Sequence, residues 1–572
     1  MSSCVPCALT PSRTSHYDSS HTMKHLAFIL CVAALSCSRP PAADMILLNG
    51  KVWTADPAMP AAEAVAIRQG RIVDVGTTER MRQHASAQTQ IVDLRGKLML
   101  PGFIDNHTHF LEGGFQLKSV DLRNARSERE FAEIICKRAA EFPGRWITGG
   151  DWDHDSWPGG RLPTRELIDA CTGTTPVFVN RYDGHMALAN THTLRLAGIT
   201  RATSDPPGGT IVRDPRTGEP TGVLKDEAMS LVWRHVPDAT DEENLEAVRL
   251  ALAEARKVGL TSIQDVSSDA AVGAYRSLRE RGELTARMYC RLPLADWRRL
   301  AREGVKARTG DEWIRLGSLK AFADGSLGSS TALFFDPYLS DPGTRGLPSE
   351  IAIDGRLEQW AASADSAGLQ LSIHAIGDSA NSLVLDIFER ILRRNPGWDR
   401  RFRIEHAQHI HPTDVARFAS LGVIASVQPY HAIDDGRWAE GRIGHERCAT
   451  TYPFRTFLDR GVTLSFGSDW TVGPLSPIAG IYAAVTRRTT DGKNPDGWFP
   501  EQKISVEEAI RAYTVSNAFA AFEEDDKGAL RPGLLADCVV LSEDILTIDP
   551  VRIADVTVVM TVVGGKIVYA AE

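Results

Sequence analysis

Eight short apolar runs, each ending in polar or ionisable residues, recur along this 572-residue chain at 98–109, 259–267, 284–292, 314–323, 368–376, 401–409, 421–429 and 461–469. From the second onward they alternate with segments of helical periodicity such as Glu243 to Lys257, Gly355 to Ala367, Ser379 to Arg394 and Pro412 to Ser420. Parallel strands need a crossover to reach their neighbours, and eight strand–helix units close into a (β/α)8 barrel. The expectation is an α/β fold, a TIM barrel over 99–524, with its strand-terminal polar residues converging on one rim.

The stretch from 110 to 258 is far longer than a βα connection. It is expected to hold an inserted subdomain, about 118–235, placed to cover the barrel mouth. Residues 44–98 alternate β-type runs (Met45 to Leu48, Ala64 to Ile67, Arg71 to Val75) with turn pairs such as Asn49-Gly50 and Gln69-Gly70. The segment 525–572 repeats the style in Cys538 to Leu541, Val556 to Met560 and Lys566 to Tyr569. Each end alone offers few strands, so the two are expected to share a sheet in a small β-sandwich domain.

Hydrophobic residues at 43% and charged residues at 24% exclude a mainly disordered or polytopic membrane chain. The net charge of −9, without a dominant basic run, argues against nucleic acid as a partner. Residues 1–22 read as an upstream extension, because Met23 offers a second start followed by Lys24, His25 and the apolar run Leu26 to Leu35. The segment 23–37 reads as a signal peptide, its apolar run too short to span a bilayer. Its end, Ala34-Leu35-Ser36-Cys37, resembles a bacterial lipobox, so Cys37 is the expected lipidation site. The expected location is the periplasmic face of the outer membrane, with a soluble periplasmic enzyme as the alternative. Of nine cysteines, Cys136, Cys171, Cys290, Cys448 and Cys538 lie beyond that point, with no CxxC spacing and an odd count. That pattern indicates neither a zinc ribbon nor a disulfide scaffold, and most of the five are expected to be buried small apolar residues.

The first barrel run ends in His107-Thr108-His109. Residues i and i+2 of a strand face one side, so both imidazoles can reach one cation. His374 closes the fifth run, His406 the sixth and Asp469 the eighth. Each alone reads as a hydrogen-bonded histidine or a turn-capping aspartate, but all lie at the rim where barrel enzymes build their sites. The fourth run places Lys320 among apolar residues, where a lone ammonium is costly. Either Asp324 or Asp265 pairs with it, or burial lowers its pKa until the neutral amine adds carbon dioxide and the carbamate bridges two metals.

Pro101 to Phe110, Leu162 to Asp169, Asn180 to Asn190, Thr221 to Ala228, Leu319 to Ala332, Ile373 to Asn381, Ile404 to His409, Phe466 to Trp470 and Lys527 to Asp537 together resemble the amidohydrolase superfamily. Within it the likeness is to the group of YtcJ-like proteins and N-substituted formamide deformylase. The resemblance implies His107 and His109 on the more buried metal, Lys320 as a carboxylated bridge, His374 and His406 on the second metal, and Asp469 as ligand and base. Asp151-Trp152-Asp153 stands where these proteins commonly show Gly-Trp-Asp.

The expected reaction is hydrolysis of a small-molecule amide, N-substituted amide or formamide by metal-activated water, with two divalent ions, zinc favoured. His185, in the turn Tyr182-Asp183-Gly184-His185, either steadies the oxyanion or makes a loop hydrogen bond. Trp152, Trp157, Tyr182, Tyr430 and Trp470, near predicted loops, either line an aromatic pocket or pack the insertion; Asp183 is a further pocket candidate, and His409, His411 and His431 are candidate supports for the ligands. The competing readings are a mononuclear deaminase of the same superfamily, with Lys320 unmodified, and a non-catalytic anchored binding protein that holds metal structurally.

Overall fold

The computed structural model describes residues 41–571; the extension 1–22, the signal segment 23–37 and Cys37 lie outside the described residues. The apolar runs form eight parallel strands: β1 (Phe103–Thr108), β2 (Leu260–Val266), β3 (Arg287–Pro293), β4 (Ile314–Phe322), β5 (Gln370–Ala375), β6 (Arg403–His406), β7 (Ile424–Val427) and β8 (Leu464–Phe466). Each is hydrogen-bonded to the next in chain order. The barrel closes at its functional end. The Asp469 N–H donates to the His107 carbonyl at 2.7 Å and the His109 N–H to the Trp470 carbonyl at 2.8 Å. Helices such as Asp241–Lys257, capped by a reciprocal Thr240–Glu243 pair, pack outside. Among the described residues no helix is long and apolar enough to cross a membrane.

The first apolar run is two strands, not one. Leu98–Pro101 pairs antiparallel with Cys538–Leu541 and parallel with Lys51–Trp53, and the barrel begins only after Gly102. Gly102 allows this close crossing, since a Cβ there would stand 2.3 Å from the Thr261 side chain. Leu98–Pro101 belongs to a six-stranded sheet drawn from both ends of the chain. A four-stranded sheet, ordered Arg71–Gly76, Ala64–Arg68, Met45–Leu48 and Gln90–Asp93, faces it. Met45, Leu47, Val65, Val52, Met99, Cys538, Val540 and Val562, from the two sheets, share one buried cluster.

Between β1 and β2 lies a five-stranded sheet, ordered Gly209–Arg213, Pro220–Asp226, Met186–Ala189, Val177–Arg181 and Ile147–Trp152. The helices Glu128–Glu141 and Glu166–Thr172 carry Cys136 and Cys171, which form a disulfide. The odd count and lack of close spacing point to no disulfide, and this bond corrects that expectation for Cys136 and Cys171. Cys290, Cys448 and Cys538 are buried and free, but a pair separated by 35 positions leaves no local signature.

The sandwich is tied to the barrel by Arg287 of β3, whose guanidinium grips the Asp537 carboxylate through Nε at 2.7 Å and Nη2 at 3.0 Å, both side chains buried. Removing one member strands the other charge. Arg287→Ala should therefore lower stability by about 3–5 kcal/mol, measured by urea unfolding, and Arg287→Ala/Asp537→Ala should cost less than the sum of the single changes.

Candidate metal centre

Six polar side chains meet at the C-terminal rim. Asp469 Oδ1 lies 3.5 Å from His107 Nε2 and 3.5 Å from His109 Nε2, while Oδ2 is 3.9 Å from His406 Nδ1. Lys320 Nζ is 3.3 Å from His107 Nε2. The His374 and His406 rings stand edge to face, centroids 4.4 Å apart, with His406 5.1 Å from His107. His406 and Asp469 adopt positive φ, 73° and 53°, where their strands break off. Such backbone is disfavoured for non-glycine residues and clusters where side-chain placement matters.

The other nitrogen of three of these imidazoles is fixed. His107 Nδ1 bonds the Glu405 carboxylate, His406 Nδ1 the Gln428 Oε1 at 2.8 Å, and His374 Nε2 the Gly325 carbonyl at 3.1 Å. With those nitrogens donating, His107 and His406 present Nε2 and His374 presents Nδ1 as a lone pair, the state a metal needs. Burial first, then the charge of Lys320, holds His107 far below the usual imidazole range and His109 at about 3. Burial, with neighbouring histidines and Lys320, does the same to His374 and His406.

Neither aspartate proposed as partner for Lys320 holds it. Asp324 accepts from the Leu333, Ile376 and Gly377 amides, and Asp265 from the Phe110 amide, Ser267 and Tyr275. Burial pushes the Lys320 amine well down against the pull of Glu405, and pushes the Asp469 carboxyl up against the charge of Lys320.

Glu405 underlies the site. Fully buried, it pairs with Arg291 Nη1 and Arg403 Nε, each at 2.9 Å, and accepts from Ser426 at 2.6 Å. These charges were absent from the sequence-based candidate set. Their signal was the one that singled out Lys320, an ionisable residue inside an apolar strand run.

His185 reaches the rim from the insertion, its ring 5.2 Å from that of His374. Its Nδ1 bonds Asp226 Oδ1 at 2.7 Å. Burial would lower the imidazole, but Asp226, with Asp183 and Asp324, raises it. A cavity of 990 Å³ opens above, lined by His109, Tyr182, Asp183, His185, His374, His406, His431 and Asp469 among others. Asp183 is committed to Arg181 at 2.7 Å and to Ser326 and Ser329. Burial works to raise its carboxyl, but Arg181 foremost holds it at about 2.

Four pocket candidates do not line the cavity. Trp152 is fully buried in the insertion core against Phe131 and Trp157, its Nε1 donating to the Val179 carbonyl at 2.9 Å. Trp470 packs on Phe110 and fills the space over Gly113, and Tyr430 is only half-buried beside the site. Trp157 likewise belongs to the insertion core. His409 is a buried structural residue bonded to Thr451, and His411 bonds Thr413.

The chain belongs to the amidohydrolase family, which its residues 90–569 match. It is 38% identical over 558 residues to Protein LONG AFTER FAR-RED 3 of Arabidopsis thaliana, with 94% of each chain covered. N-substituted formamide deformylase of Arthrobacter pascens is 28% identical over 544 residues, covering 92% of this chain and 98% of that one. Among solved structures, a metal-dependent hydrolase from Pyrococcus horikoshii OT3 is similar with TM-score 0.72 and 29% identity, over 88% of this chain and 99% of that one. The chain is thus a hydrolase by family, and its site suits a cation. The potential ligand atoms of His107, His109 and Asp469 lie within 4.8 Å of one another, and Asp469 Oδ1 is buried with no hydrogen-bond partner.

Glu405→Gln keeps the shape of the side chain and removes the charge that balances Arg291, Arg403 and the His107 N–H. Its expected outcome is a loss of about 10–100-fold in metal affinity, read by competition against a chromogenic chelator, with lower stability in urea.

Proposed function

We propose that this chain hydrolyses a carbon–nitrogen bond in a non-peptide amide, an N-substituted amide or a formamide. The observation that carries the reading is Asp469 Oδ1, buried and unpaired beside two neutral imidazoles. A structural metal site is closed by its ligands and needs no base, whereas here a carboxylate raised by burial faces an open cavity. The similarity to a formamide deformylase supports the bond type.

His107, His109 and Asp469 would hold one divalent ion, and His374 and His406 a second, with Lys320 as a carbamate between them; zinc suits this donor set. When bound, the ions supply the positive charge that acidifies water and polarises the substrate carbonyl. The Asp469 carboxylate accepts the proton from the attacking water and delivers it to the leaving nitrogen. His185 faces the developing oxyanion, oriented by Asp226. Tyr182, its ring between Arg123 at 4.4 Å and Arg181 at 4.3 Å, stiffens the roof that the insertion forms. We also propose export, as a lipoprotein on Cys37 or as a soluble periplasmic enzyme; the Cys136–Cys171 bond suits an oxidising compartment.

The direct test is turnover by metal-loaded protein of N-formyl amines, N-acyl amines, cyclic ureas and dipeptides, the first two being the expected substrates. Absence of turnover on all four classes would overturn the reading. Asp469→Asn should lower kcat by about 10²–10⁴ with a smaller change in KM. Lys320→Ala should lose most metal and activity, partly restored by added short carboxylates. Two metals per chain and normal turnover in that variant would remove Lys320 from the site.

A further inference from the structure

His431 lies on the helix Pro429–Asp435, which starts directly after β7 and the Gln428 that holds His406. It lines the cavity, is 9% exposed, and its Nε2 is buried with no hydrogen-bond partner. Potential ligand atoms of His406, His431 and Asp469 fall within 4.8 Å of one another. The rings of His185, His374, His406 and His431 form a row with successive centroid separations of 5.2, 4.4 and 6.5 Å, so His185 and His431 flank the central pair.

A buried polar atom without a partner is costly, and in a folded protein it marks a place where a partner arrives. Two partners fit here, a metal or a substrate. Metal-ligating histidines have their second nitrogen fixed. Glu405, Gly325 and Gln428 do this for His107, His374 and His406, three of the four histidines assigned as ligands, whereas among the described residues no hydrogen bond fixes the ring of His431. Its plane is parallel to that of His406 within 10°, with the ring centroids 6.5 Å apart.

We propose that His431 is a substrate-binding residue, donating a hydrogen bond to the amide under attack on the Asp469 side of the site, across the His374–His406 pair from His185. The two flanking imidazoles then grip the reacting group from opposite ends of the row, one from the insertion and one from the barrel. This rests on the amide-hydrolysis reading and adds to it a second wall that orients the scissile group.

The test uses the full-length, metal-loaded chain. His431→Ala should keep the wild-type metal content by elemental analysis while kcat/KM for the best N-formyl or N-acyl amine falls about 10²-fold. Of His431→Asn and His431→Gln, which place an amide N–H where ring Nδ1 or Nε2 stood, one should recover about tenfold of that loss. Loss of metal from His431→Ala would make the residue a ligand and overturn the proposal. An unchanged kcat/KM, or failure of both amide variants to recover activity, would overturn it as well. If the wild type hydrolyses no amide, the hydrolysis reading fails separately, and calorimetric titration with acetohydroxamate then decides: affinity at least about tenfold weaker in His431→Ala supports the contact, equal affinity overturns it.

Discussion

The barrel interior turns on one carboxylate. Glu405 has no access to solvent, and two guanidiniums, an imidazole and two serine hydroxyls compete for its two oxygens. A buried anion of this kind survives only when it is fully compensated. The compensation fixes more than Glu405. Arg291 ties β3 to β5 and β2 through Ser372 and the Gln264 carbonyl, and Arg403 reaches the Asn106 carbonyl of β1. Strands far apart in sequence are therefore registered against one another by charge as well as by their ladders, and His107 inherits that register.

This arrangement places a cationic layer beneath the candidate metal centre. Arg291 lowers His107, His109 and Lys320 alike, after burial itself. A histidine that cannot be protonated is always ready to bind a metal, and a lysine that resists charging is ready to react with an electrophile. The floor of the barrel thus prepares its rim chemically, without touching anything that enters the cavity.

The legible part of this design was periodic or local. The barrel followed from eight apolar runs, and the histidines and Asp469 from their places at the ends of those runs. Gly102 hid a change of sheet inside one run, because a glycine between two β-type stretches reads the same whether the chain continues or crosses over. Glu405 was adjacent to a residue already singled out, but its meaning depends on Arg291 and Arg403, which only closure of the barrel brings near. The His185–Asp226 pair and the Cys136–Cys171 bond span 41 and 35 positions, and no spacing rule links them. For Trp152 a pocket role and packing of the insertion were both open, since loop position cannot separate them, and its strand turns it into the insertion core.

The change of sheet at Gly102 also bears on how the molecule is made. Leu98–Pro101, immediately before the histidine-bearing β1, takes its antiparallel partner from Cys538–Leu541, and the Gly102 amide donates to the Asp537 carbonyl at 3.0 Å. During synthesis those partners leave the ribosome after all eight barrel strands. At about 5–20 residues per second, the segment leading into β1 waits tens of seconds as an unpaired edge, able to join the wrong neighbour. A strand made before any of the barrel is thus among the last to be secured along both edges, and the yield of folded protein rests on what shields its open edge in the interval.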